Sequence, residues 1–198
     1  MPFVIITAII TGIVSGIFIM PESFLQNTDL LATVALNALL LLIGIEVGSN
    51  KNVLRDIKNS GLASIAVPAS IIAGSLIGGL VTGIIFGIPH NISLSIASGF
   101  GWYSLSGIML TKLANAQIGT IAFMTNVLRE IIAVISIPYI AKYLNHYSAI
   151  APAGATSMDT TLPLISKATS PSVVVVSFIN GVLLSSLVPF FVTFFFSI

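Results

Sequence analysis

Apolar runs long enough to cross a bilayer recur along the whole chain, and few folds accommodate that pattern. A hydrocarbon core about 30 Å thick is crossed by about 20 helical residues. Pro2–Met20, Leu30–Gly48, Gly61–Gly87, Ile118–Ala141 and Val173–Ile198 each meet that length. Only 7% of the 198 residues are charged, against about a quarter in a soluble domain. The reading is an all-α polytopic membrane protein, a single integral membrane domain over 1–198 embedded in the lipid bilayer. A net charge of +1 gives no drive towards nucleic acid. The absence of cysteine excludes disulfides and thiol chemistry. The first run has no basic flank before it and no small-residue cleavage site after it, so it is expected to be a retained span.

Between the runs lie short polar turns. Residues 50–60 hold Lys51, Arg55 and Lys58 against Asp56, which by the positive-inside rule makes that loop and the N-terminus cytoplasmic. Gly74, Gly78, Gly79 and Gly83 give the third span a small-residue stripe suited to close helix contact. Two segments do not read as plain spans. Residues 92–111 are long enough, but Ser98–Gly107 carries three glycines and three serines, a poor continuous helix. Residues 152–168 include Gly154-Ala-Thr-Ser-Met-Asp-Thr-Thr-Leu-Pro163, too polar for a lipid-facing helix. Both are expected to be broken or re-entrant segments lining a polar cavity, where irregular backbone is tolerated at membrane depth. The count of positive residues does not decide whether they cross. The expected fold is thus about five full transmembrane helices plus two broken segments.

Charge inside such segments is costly and marks function by default. Arg129 and Glu130 fall near the middle of the 118–141 span, and Asp159 falls in the second broken segment. Consecutive helical residues diverge by about 100°, so Arg129 is free to meet another acid, with Asp159 a candidate. Asn126 lies four residues before Glu130 and shares its face. Two acids against one arginine leave one negative charge, which a cationic substrate or a proton would neutralise. Asn126, Arg129, Glu130 and Asp159 are therefore the candidate substrate- and proton-binding residues. Ser98, Gly99, Gly101, Trp102, Tyr103, Ser104, Ser106, Thr156 and Ser157 are the candidate cavity wall. The competing reading is a structural ion network locking helices together.

Glu46 sits near a basic loop and reads as an interfacial pairing group. His90 and His146 read as surface residues in short turns, which leaves a metal site without support. A serine hydrolase would need a base beside Ser104, Ser106 or Ser157, and neither histidine falls in an expected span. No catalytic residue, cofactor or metal is expected.

Ala97-Ser-Gly-Phe-Gly-Trp-Tyr-Ser-Leu-Ser-Gly107, Leu128-Arg-Glu-Ile-Ile-Ala133 and Gly154-Ala-Thr-Ser-Met-Asp159 with Leu162-Pro163 resemble the bacterial lysine exporter LysO family. The resemblance implies export of L-lysine and its analogues across the bacterial inner membrane, with Glu130 and Asp159 as functional acids. It also implies an inverted-repeat transporter with one repeat incomplete, since full-length members carry further spans ahead of this region. A small N-terminal-half membrane protein or a second copy of the chain is the expected partner. Lysine carries a net positive charge, so its export against an inside-negative potential calls for coupling. H+ antiport is expected, with Na+ as the alternative. The substrate carboxylate is expected at half-helix N-termini near Ser98–Ser106 or Gly154–Ser157.

Overall fold

A computed structural model describes residues 61–198, together with Thr7, Thr11, Gly12, Val14, Ser15, Gly16, Phe18, Met20, Pro21 and Ile45. The spans expected at 2–20 and 30–48 lie outside the described residues apart from those positions, and Glu46 and the basic loop at 50–60 lie outside them entirely. Every regular element among the described residues is helical: α1 (Gly61–Phe86), α2 (His90–Ala97), α3 (Tyr103–Leu113), α4 (Ala116–Tyr143), 3-10 turns at Ser148–Ile150 and Gly154–Met158, α5 (Leu162–Ala168) and α6 (Pro171–Phe196). α1, α4 and α6 are long and apolar enough to cross a membrane.

Helix starts follow local chemistry. Asn115 caps α4 by accepting the Ile118 N–H on its side chain at 2.9 Å. α6 begins with Pro171, whose missing N–H costs nothing in a first turn, after an extended Ser170. Both expected interruptions stand as breaks in the helices. The first is narrower than its sequence, because α2 ends at Ala97 and α3 resumes at Tyr103, leaving Ser104, Ser106 and Gly107 helical.

α6 is the hub. Half of its most apolar window is buried, against 11% for α1 and 22% for α4. It packs on α1, α2, α3, α5 and the Gly154–Met158 turn. Val173, Val176, Leu184, Val188 and Val192 form its apolar contact surface, interrupted by fully buried Ser177 and Asn180. Small residues set the other approaches. A Cβ on Gly83 would come within 2.9 Å of the Ser93 Cβ, so α1 and α2 touch closely there. Gly79 meets Ala97 in the same way, whereas Gly74 and Gly78 have nothing within 4 Å of an added Cβ among the described residues. The expected stripe thus serves this contact with only half its glycines. α3 and α4 meet at Gly107 and Gly119, where a Cβ on Gly119 would lie 2.7 Å from the Gly107 carbonyl oxygen.

Candidate functional site

The first break turns on left-handed backbone at Phe100 (φ 47°) and Gly101 (φ 103°). Such a conformation is rare for a bulky residue, and here the Phe100 side chain is fully buried with its ring edge-on to Phe191 at 5.9 Å. Unwinding releases backbone groups that lipid cannot satisfy, and Asn126 of α4 takes up the slack. Its Oδ1 accepts the Gly101 N–H at 2.7 Å, and its Nδ2 donates to Ser106 Oγ at 3.2 Å and to the Ala122 carbonyl at 2.9 Å.

The second break begins at Gly154, also left-handed (φ 62°). The Ala155 N–H donates to the Phe100 carbonyl at 2.8 Å, so the two breaks cross and bond to each other. A side chain at Gly154 would run into that carbonyl, which makes glycine obligatory. Hydroxyl groups satisfy the rest of this turn. Thr156 donates to the Ala153 carbonyl at 2.9 Å and Thr161 to the Thr156 carbonyl at 2.8 Å. Ser157 and Ser177 each donate to the other's carbonyl at 2.8 Å. Asn180 Nδ2 donates to the Gly154 carbonyl and to Ser157 Oγ, both at 2.9 Å. Small hydroxylated residues therefore let the chain unwind here, because they carry their own hydrogen-bond partners.

Arg129 does not meet Asp159. Its Nε donates to the Pro152 carbonyl at 3.0 Å, one terminal nitrogen to the Ala151 carbonyl at 3.2 Å and the other to Ser75 Oγ at 2.9 Å. The guanidinium thus clamps the carbonyl end of the Ser148–Ile150 turn and ties it to α1. It also walls a cavity of about 230 Å³ with Ser75, Thr82, Thr125 and Asn126.

Glu130 points to a different side of α4, towards Thr160. There Thr160 stands between the acids: its N–H donates to Asp159 Oδ1 at 2.6 Å and its hydroxyl lies 3.5 Å from the same oxygen. The Thr160 hydroxyl and the Asp159 carboxyl group both lie near enough to Glu130 to interact with it electrostatically. Asp159 opens on a second cavity, of about 270 Å³, with Gly101, Trp102, Tyr103, Ser104, Thr156, Thr160 and Ser185 in its wall.

Of the expected wall, Gly101, Trp102, Tyr103, Ser104 and Thr156 line this second cavity. Ser98, Gly99, Ser106 and Ser157 are buried against protein instead. Ser98 donates to the Leu94 carbonyl at 2.7 Å, Ser106 to Trp102 at 2.8 Å, and Gly99 packs on Asn126. Asn126 has both amide groups committed to the protein, so it braces the break. The half-helix N–H groups of Gly101, Trp102, Tyr103 and Ala155, expected to receive a carboxylate, are bonded internally. Ser75, Thr160, Thr161, Ser177 and Asn180 belong to the site but were not singled out in the sequence. Asn180 had a readable signal, being an amide inside a run of apolar residues.

Residues 6–196 match the family model described as Lysine exporter LysO. A protein of Escherichia coli K12 named "Lysine exporter LysO" is 39% identical over 173 residues, covering 87% of this chain and 57% of that protein. A Haemophilus influenzae protein named "Putative lysine exporter" is 32% identical over 195 residues, 96% of each chain. No solved structure gives a significant match. The chain thus spans little more than half the length of its Escherichia coli relative. By the family match and its helical architecture, this chain belongs to the lysine exporter LysO family, as a multi-pass protein of the bacterial inner membrane.

Proposed function

We propose that the chain is the substrate-binding part of a secondary transporter that exports L-lysine and lysine analogues in exchange for protons. The observation that carries this reading is the meeting of Glu130 and Asp159 across Thr160, beside a cavity at the crossing of two helix breaks. The geometry is suited to alternate occupancy. Two carboxyl groups on either side of one hydroxyl can hold the ammonium groups of lysine, or a proton once the ammonium leaves. Ser104, in the first turn of α3, opens into the same cavity, where the positive end of a helix dipole favours a carboxylate. Arg129 spends its donors on Ser75, Ala151 and Pro152 and leaves the acids without a bonded cation among the described residues.

A hydrolase has less support, because Ser106 and Ser157 give their hydroxyl hydrogens to main-chain carbonyls rather than to a base. The names of the two relatives also point to export. Proton coupling is preferred to sodium because the carbonyls of Ala151 and Pro152 already hold a guanidinium. The reading includes a partner, either a small membrane protein supplying further spans or a second copy, which co-purification with the tagged chain identifies.

The test is counterflow of labelled lysine in proteoliposomes, with and without a pH gradient. The expected result is exchange of lysine that an acidic exterior accelerates. Absence of exchange in a folded, reconstituted protein together with its co-purified partner would overturn the reading.

A further inference from the structure

Two units of one plan follow each other along the described chain. In the first, the Phe100–Gly101 break precedes α4, and Asn126 reaches back 25 residues to Gly101. In the second, the Gly154 break precedes α6, and Asn180 reaches back 26 residues to Gly154. Each asparagine also donates to a serine hydroxyl, Ser106 or Ser157, and both are buried, at 2% and 0% exposure. Their polarity towards the break is opposite. Asn126 accepts an N–H from its glycine, whereas Asn180 donates to the carbonyl of its glycine. Asn180 Oδ1, the counterpart of the atom that takes the Gly101 N–H, has no partner among the described residues. Buried amide oxygens in that condition are uncommon.

We propose that Asn126 and Asn180 are paired positioning residues of the transport site. Asn180 places Asp159 by holding the turn that delivers it, through donation alone. The inference rests on the transport reading above. Its physical path is short: Asn180 fixes the Gly154 carbonyl and Ser157 Oγ, and the next residue, Gly181, packs so tightly on Met158 that a Cβ would lie 2.6 Å from the Met158 nitrogen. Asp159 follows directly.

Substitution by aspartate tests both residues, because a carboxyl group accepts in either protonation state but donates only when protonated. Among the described residues, the charged groups around the second break are Arg129, beyond Gly154 and bonded to carbonyls, with Glu130 and Asp159 beyond Met158. His90, Lys112 and Lys167 lie exposed on α2, α3 and α5. The experiment measures the lysine KM of the full chain and its co-purified partner in proteoliposomes across pH. Each variant is expressed as a ratio to the unsubstituted protein, which cancels the titration of those groups. Asn126→Asp keeps the bond from the Gly101 N–H but loses the donations to Ser106 and Ala122 when ionised, so its ratio is expected to rise with pH. For Asn180→Asp it is expected to be small in acid and to rise tenfold or more as the introduced carboxyl group loses its proton. A merely structural role would lower the amount of folded protein without this pH-dependent KM. A flat ratio for either variant would refute the inference. If Asn180→Asp does not fold, Asn180→Ser, which keeps a donor, should hold KM near normal while Asn180→Ala raises it tenfold; equal values overturn the proposal. Loss of lysine exchange in the unsubstituted protein would bring down the transport reading itself, and this inference with it.

Discussion

Thr160 is the smallest part of the site with the largest consequence, since its N–H and hydroxyl both address Asp159 while the hydroxyl also reaches Glu130. Replacing either acid by its amide keeps shape and hydrogen bonding but removes the charge that meets an ammonium group. Losing one partner of a desolvated charge pair costs about 2–5 kcal/mol. Asp159→Asn and Glu130→Gln are therefore each expected to lower lysine exchange by thirtyfold or more in counterflow, without lowering the amount of folded protein. Arg129 belongs to a different mechanism. Its planar fork serves two successive carbonyls and a hydroxyl, a set that a single ammonium cannot reproduce. Arg129→Lys should thus destabilise the protein by about 1–3 kcal/mol, seen as a lower melting temperature in detergent. The two acids were legible in the sequence because charge is so sparse within its apolar runs. The partners of Arg129 were not, because every residue carries a carbonyl and nothing in the sequence marks which ones will be left open. Asn126 was legible as important, but its job as a brace emerges only from the three bonds its amide makes.

At the scale of elements, the two breaks depend on glycine where the backbone turns left-handed. At Gly154 a methyl group meets both an unfavourable φ and the Phe100 carbonyl. The backbone alone costs about 1–2 kcal/mol, and displacing the carbonyl breaks the Ala155–Phe100 bond. Gly154→Ala is therefore expected to melt earlier and to abolish lysine exchange, whereas Gly74→Ala, which meets nothing within 4 Å among the described residues, should change neither. Parallel melting and counterflow assays of both variants give the comparison. The density of glycine, serine and threonine located both breaks. Their widths were less legible, because serine and glycine remain helical when packing and back-bonding to the preceding turn suit them, as in Ser106 and Gly107 of α3.

At the scale of the whole molecule, among the described residues α6 is surrounded by α1, α2, α3, α5 and the Gly154–Met158 turn, while α1 and α4 keep much of their surface outward. Length and apolarity identified these helices as spans, but periodicity could not rank them, since apolar residues surround each one. The repeated plan of break, long helix and returning asparagine was also hidden, because two amides at similar distances from two glycines form no motif until their bonds are known. The net charge of lysine makes export a matter of the whole membrane field, at about 2.3 kcal/mol per 100 mV. One proton inward for one lysine outward moves no net charge. Exchange is then expected to respond to an imposed pH gradient and to ignore a potassium diffusion potential; a rate that follows the potential alone would indicate another stoichiometry.

The bond from the Ala155 N–H to the Phe100 carbonyl also supplies a clock. Ala155 is buried at the point where the two breaks touch, so solvent deuterium reaches its amide only when they part. If transport separates the breaks, that amide exchanges at the pace of turnover and lysine changes its rate. If they travel together as one piece, it remains protected through many cycles, and the moving parts must be sought among the helices around it.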